Sequence, residues 1–423
     1  MSAAAEAPVV LHLSAVVGGA LRDPDGGRLG TVDDVIVRLG EDVYPPVTGV
    51  LATVAGREVF IGAELIDDIS TDSVVLRGSE LNVQPFARRA EEVLLRKDVL
   101  DRQLINVEGA RLVRTNEIEL ARLDGWYRVV GVDTGPRGFL RRLLPRRAAA
   151  RVGIGSFLDW ASVEPFTGHV PTVRLRVPHP KLARLHPAQL ADLVEAASHR
   201  EGEEIIAAIR EDRDREADVF EELDTTHQRA FLENRTDADV AELLSLMEPD
   251  DAADTLSELE EERQEAVLEL LPAAQRRHVR ALLGYDPATA GGLMTTEFVC
   301  VSSHATREEV IETLRLSEAP ADSLAWVFVR NEQHRLRGAL PVVDLIRADT
   351  ETRMGEIALV DPVRVRPDSD LEEVARTMTD YDLTSVPVVD DQDRLIGVVT
   401  VDDVLELILP EGWRRNFGVF GGE

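Results

Sequence analysis

"LLGYDPATAGGLMTTEFVCV", residues 282–301, decides how this chain is divided. Its adjacent glycines, Gly291 and Gly292, can take positive φ or let another backbone approach closely. A Met-Thr-Thr turn follows, then the short apolar run Phe298–Val301. The sequence changes character on either side, so the stretch reads as a joint between domains.

On the N-terminal side, from Leu182 to Leu283, glycine nearly disappears and apolar residues fall at helical spacing. Leu190, Leu193, Val194 and Ala197 form one such set, and Val240, Leu243, Leu244 and Met247 another. The starts "HPAQLADL" and "EPDDAADTL" place proline at the first helical position, and Gly284 fits a C-terminal cap. A stack of short helices is expected. On the C-terminal side "RLRGALPVVDLI" (335–346) aligns with "RLIGVVTVDDVL" (394–405), each reading as a strand turning into a helix. Nearer the start, "RLGTVDDVIV" (28–37) pairs more weakly with "RLVRTNEIEL" (111–120). Val- and Ile-rich flanks and the turns "DPDGG" and "LDGW" mark small β units there. The segment 177–187, with three prolines, separates these β units from the helices.

A chain of 423 residues is too long for one core. Its one cysteine, Cys300, excludes an intrachain disulfide, suits a reducing compartment and reads as core. No stretch has the length of apolar sequence a membrane helix needs, and the start lacks the basic region of a signal peptide. A cytoplasmic protein is expected, with peripheral attachment at the inner membrane face as a further option. The net charge of −31 argues against a nucleic-acid partner, because phosphate binding needs a positive surface. One segment runs against that balance: 136–153 holds Arg137, Arg141, Arg142, Arg146, Arg147 and Arg151 with no acid. It suits an anionic membrane surface, or pairing with acids of the same chain.

Scattered histidines, no HExxH, no nucleophile elbow and no Walker loop leave no support for an enzyme. The acids are more informative. In "MEPDDAADTLSELEEER" (247–263) Asp251 and Asp254 project from one helix face while Leu256 and Leu259 turn to the core. Glu248 and Asp250 lie at the N-terminal end, where the helix dipole favours them. A second set holds Asp380, Asp382, Asp402, Asp403, Glu406 and Glu411. Two acidic faces repel unless cations lie between them, and Mg²⁺ bridges carboxylates without a dedicated cage. The later repeat also carries Gly397, Thr400 and Asp403, a spacing that could hold a phosphate and a ribose, as in AMP or ATP. Pro341 stands where the later copy has Thr400.

"MEPDDAADTLSEL" followed by residues 282–301 resembles the intracellular N domain of MgtE magnesium transporters. The segment 294–409, with "MTDYDLTSVPVVDDQDRLIGVVTVDDVLELI", resembles the tandem CBS pair that follows it there. "HLSAVVGGALRDPDGGRLGTVDDVIV" and "DRQLINVEGARLVRTNEIEL" are similar to PRC-barrel modules. The resemblances imply a multidomain α+β chain. Two PRC-like β-barrel modules cover 8–90 and 96–170, the second with its Arg-rich insertion at 136–153. A superhelical all-α MgtE N domain covers 180–290, α/β CBS domains cover 294–350 and 355–410, and a tail covers 411–423. They further imply a Mg²⁺ sensor without its channel, with ligands Asp251, Asp254, Gly291 or Gly292 through a carbonyl, Asp382, Asp403 and Glu411. Arg414 stands where the family often has an acid. A homodimer through the CBS pair, acting on a separate membrane transporter, completes that reading, with the Gly-Gly joint as hinge. The alternatives are an adenine-nucleotide-sensing CBS adaptor and a membrane-docking scaffold without metal sensing.

Overall fold

The structure is a computed structural model that describes residues 10–409, apart from 41, 79–86, 144–156, 168, 171–180, 318 and 322. It is mixed α+β and divides into two compact units, residues 1–211 and 212–423.

In the first unit one sheet runs β5 (Arg57–Gly62), β4 (Val47–Val54), β3 (Arg28–Arg38), β2 (Ala20–Arg22), β7 (Ser73–Leu76) and β6 (Ile66–Ile69), with β8 (Glu92–Leu94) also on β3. Among the described residues this path is open from β5 to β6. A second sheet orders β1 (Val10–His12), β11 (Glu117–Leu123), β12 (Trp126–Asp133) and β13 (Phe157–Asp159). A third orders β10 (Arg111–Arg114), β9 (Gln103–Asn106) and β14 (Val163–Pro165). The turns read from the sequence are present: Gly26 takes φ 88° between β2 and β3, and Asp124 and Gly125 take φ 51° and 85° between β11 and β12. Two positive φ values in a two-residue loop match the right-handed twist of the flanking strands.

The weaker repeat does not survive as matching strands. Residues 28–37 lie in one strand, whereas 111–120 divide between β10 and β11, which join different sheets. The two β regions also share one core. β1 crosses to pair with β11, and one apolar cluster joins Leu21, Val35, Val50 and Ile61 to Leu120, Val132 and Trp160.

The short helix α1 (Leu13–Val16) and α2 (Pro136–Leu143) belong to this unit, as do α3 (Pro187–Ala196) and α4 (His199–Ile209). α4 and the turn that precedes α3 are fastened to the β region. Glu204 accepts from Thr167 N–H at 2.6 Å, and Lys181 Nζ donates to the carbonyls of Trp160 and Val163 at 3.0 and 2.7 Å.

The second unit begins with helices α5 (Arg213–Glu221), α6 (Thr225–Leu232), α7 (Asp237–Leu244), α8 (Pro249–Ser257), α9 (Glu261–Leu270) and α10 (Ala273–Leu282). Side-chain caps start the first three: Asp212, Asp224 and Thr236 accept from Arg215, His227 and Asp239 N–H. The expected apolar stripes are inside, with Val240, Leu243, Leu244 and Met247 all buried. Gly284 is not a left-handed cap; α10 ends on Leu283 in the right-handed region, and Gly284 has no positive φ.

The repeats behave as read. β15 (Cys300–Ser302), β16 (Trp326–Arg330), β17 (Leu336–Pro341) and β18 (Leu359–Val360) form one sheet, with β15 parallel to β16. β19 (Ser385–Val389) and β20 (Leu395–Thr400) form the other. Helices α11 (Arg307–Leu316), α12 (Val342–Arg347), α13 (Met354–Ile357), α14 (Leu371–Asp380) and α15 (Val401–Ile408) complete them. Pro341 and Thr400 occupy the same N-cap position in the two copies, before α12 and α15. Phe328 and Leu336 of the first copy pack with Val389 and Val398 of the second, and Cys300 lies half-buried against them. Burial pushes its thiol up to about 11, which keeps it inert.

Candidate functional site

Helix α8 starts with Glu248 as N-cap and Pro249 as first helical residue. Ala252, Ala253 and Leu256 fill its core side, as the spacing required, and Leu259 beyond it is also buried. Its other face and α15 border a common cleft. A cleft of about 190 Å³ is lined by Glu221, Asp250, Asp251, Asp254, Gly292, Asp403 and Glu406, among others. Carboxylates from the helical stack and from the second CBS-like copy therefore share one cleft.

The electrostatics are those of crowded anions. Burial holds Asp250 well above the usual carboxylate range, and the charges of Asp403 and Glu248 add to it. Asp251 is raised likewise, by burial first and then by Asp250, Glu221 and Asp403. Asp254 keeps an open face to solvent, yet crowding by the surrounding protein, with Glu258 and Glu406, pushes it up to about 6. Burial also pushes Glu221 up to about 7, against the opposing hydrogen bond from Glu248 N–H at 2.7 Å. Asp250 is only 8% exposed, and its Oδ1 has no hydrogen-bond partner among the described residues. A buried, unpartnered carboxylate oxygen is costly unless something positive reaches it.

Two residues of this cleft escaped the sequence reading. Glu221 ends a different helix, so no local spacing links it to Asp251. The sequence marks Asp250 as a dipole-favoured terminus, and the double acid after Pro249 is the one signal that it belongs to a site. No three of the cleft's described carboxylates bring ligand oxygens within 4.8 Å of one another. That spacing suits a cation that keeps its waters rather than a closed inner-sphere cage.

The remaining expected residues are placed as follows. Gly292 lines the cleft, whereas Gly291 backs onto the ring of Tyr285 and the Pro367 carbonyl. Asp382 sits exposed beyond α14 with φ 54° and does not line the cleft. Glu411 lies outside the described residues. The Gly-Gly joint is not a free hinge. Neither glycine has a positive φ, Ala290 N–H donates to Ser369 O at 2.8 Å, and Gly291 N–H donates to Pro367 O at 2.9 Å. A Cβ on Gly292 would stand 2.4 Å from Asp286 O, so close backbone approach is what these glycines serve.

The phosphate–ribose pattern is engaged internally. Thr400 is buried, and its hydroxyl and N–H both donate to Asp403 Oδ2, at 2.5 and 3.3 Å. Gly397 is covered by Met294, whose Sδ would lie 2.4 Å from an added Cβ. Asp403 thus belongs to both candidate sets. In the arginine segment, Arg142 grips Asp101 through two contacts of 2.6 Å, and this pairing lowers the Asp101 carboxyl. Arg137 is exposed on α2. Only the backbone of Arg141 is described, and Arg146, Arg147 and Arg151 lie outside the described residues.

No helix among the described residues is long and apolar enough to cross a membrane. Residues 185–288 match the MgtE intracellular N domain, and 290–351 and 354–410 each match the CBS domain. A magnesium transporter MgtE of Thermus thermophilus is 45% identical over 165 residues, 38% of this chain and 37% of that protein. One from Enterococcus faecalis is 35% identical over 143 residues, 34% of this chain and 32% of that protein. The chain thus spans about a third of the length of these curated relatives. A crystal structure of the cytosolic domain of the Mg²⁺ channel MgtE in complex with ATP aligns with TM-score 0.50 at 37% identity, covering 53% of this chain and 92% of that one. Residues 185–410 therefore hold an MgtE intracellular N domain joined to a pair of CBS domains.

Proposed function

We propose that this protein is a Mg²⁺-responsive regulator of magnesium transport, in which hydrated Mg²⁺ between α8 and α15 holds the N domain against the second CBS domain. The observation that carries the reading is the buried Asp250 oxygen, without a hydrogen-bond partner among the described residues, in a cleft whose carboxylates are raised by burial first and then, at Asp250 and Asp251, by the charge of Asp403. The related chains are magnesium transporters, which supports Mg²⁺ as the cation. Asp251, Asp254, Asp403, Glu221, Glu406 and the Gly292 carbonyl would receive the ion and its waters. Asp382 and Glu411 are proposed as outlying ligands on the resemblance alone. Loss of the ion restores repulsion, and only a higher affinity for the closed state lets Mg²⁺ drive closure.

The N domain is taken as 180–290 and the CBS domains as 294–350 and 355–410. A second copy would cover the exposed apolar residues of the CBS helices, Val343 and Ile346 on α12 and Leu405 and Ile408 on α15. The transporter acted upon would be a membrane partner. Calorimetric titration with Mg²⁺ at physiological ionic strength, with Ca²⁺ and added NaCl as controls, tests the reading. Saturable heat that survives NaCl and is lost in Asp250→Asn with Asp403→Asn is expected. Heat abolished by salt, or unchanged in that variant, refutes it.

One observation favours a second reading, adenine-nucleotide sensing: the ATP complex of the solved neighbour, together with Gly397, Thr400 and Asp403 here. For those residues to take a nucleotide, the Thr400–Asp403 contact must open. ATP binding that is lost in Thr400→Ala, without any Mg²⁺ response, would put this reading first.

A further inference from the structure

The β-rich unit holds a second cleft, of about 250 Å³, between the first sheet and the β11–β12 hairpin. Its floor is apolar, made by the buried side chains of Val47, Ile66 and Ile69. Its walls carry both signs of charge, Arg77 and Arg122 with Glu64 and Asp67. Trp126 forms the rim and is 53% exposed, unusual for the largest apolar side chain.

This cleft is preformed. The Tyr127 hydroxyl donates to Asp68 Oδ1 at 2.8 Å and accepts from Ile69 N–H at 3.0 Å, which ties the hairpin to β6. Arg77 Nε donates to Ile66 O at 3.0 Å, so the stem is fixed while its two terminal nitrogens have no hydrogen-bond partner among the described residues. Arg122 lies over the Tyr127 ring at 5.8 Å, which steadies its guanidinium. None of the four charged groups forms an ion pair among the described residues, although all line one cleft. An occupant that satisfies all of them carries a carboxylate, an ammonium and an apolar body.

We propose that this cleft binds a free zwitterionic α-amino acid with an apolar side chain. Its carboxylate would meet the planar forks of Arg77 and Arg122, which match that group in a bidentate manner. Its ammonium would meet Glu64 and Asp67, and its side chain would cover Ile66, Ile69 and the inner face of Trp126. The proposal is independent of the Mg²⁺ reading, since none of these residues lines the carboxylate cleft.

The test is calorimetry on the full chain with L-leucine and L-phenylalanine as probes. 4-Methylpentanoate and isoamylamine, which lack the ammonium and the carboxylate respectively, serve as controls. Saturable binding of at least one amino acid is expected, with neither control binding comparably. Arg122→Gln and Asp67→Asn should each weaken it about tenfold or more, the loss of one charged contact. Both substitutions are exposed, and an unchanged melting temperature shows that each variant folds. No saturable heat with either amino acid overturns the proposal. So does equal binding of 4-methylpentanoate, which would make the cleft a plain anion site, or binding that both variants leave intact.

Discussion

Glu221 supplies a quantitative test of the crowded cleft. Its carboxyl stands at about 7 instead of 4.5, because burial outweighs the one amide that favours the anion. Between those values the folded protein keeps a proton that the unfolded chain has lost. The stability this group contributes is therefore full below pH 4.5 and falls as pH rises to 7. The gap between 4.5 and about 7 is worth about 3 kcal/mol. Glu221→Gln keeps an acceptor for Glu248 N–H and removes the titration. Asp250, Asp251 and Asp254 are raised in the same direction, so the informative quantity is the difference between wild type and variant. Urea unfolding in EDTA, followed by the far-ultraviolet helix signal across this pH range, measures it. The variant should gain about 3 kcal/mol relative to wild type between the two ends. Mg²⁺ near neutral pH should return most of that to the wild type. Parallel pH profiles, differing by less than about 1 kcal/mol, would refute the burial argument.

Gly292→Ala places a Cβ 2.4 Å from Asp286 O and 2.5 Å from Pro287 Cα, both backbone atoms, and should cost about 1–3 kcal/mol. Hydrogen exchange should quicken at the amides of 288–293 and leave α5 to α7 unchanged. Thr400→Ala removes the hydroxyl bound to Asp403 and should cost about 1 kcal/mol, read as a lower melting temperature, with Thr400→Ser restoring it.

The parts legible in the sequence are those fixed by local periodicity. Asp251 and Asp254 fall on the open face of α8 because Ala252, Ala253 and Leu256 claim the other. The strand-to-helix turns at Pro341 and Thr400 repeat because each copy must start a helix at the end of a strand. What sequence reading missed depends on which element packs against which. Glu221 reaches the cleft from α5, and nothing in its own neighbours signals that. The glycine pair could equally have been a swivel or a close contact, and only the Pro367 and Ser369 carbonyls decide it. Ile118 and Val32 were both recognisable as strand residues, but the sharing of one core by two β regions was not.

The pairing of β1 with β11 has a consequence for synthesis on the ribosome. The strand Val10–His12 finds its partner only in Leu120 and its neighbours, more than a hundred residues later. At ordinary elongation rates the early strand waits on the order of ten seconds with its edge open. Throughout that interval β2, β3 and β4 can close their hairpins without it. The nascent chain thus assembles its first sheet while β1 and the start of α1, with Leu11 and Leu13 bound for the shared core, remain for a chaperone to shield.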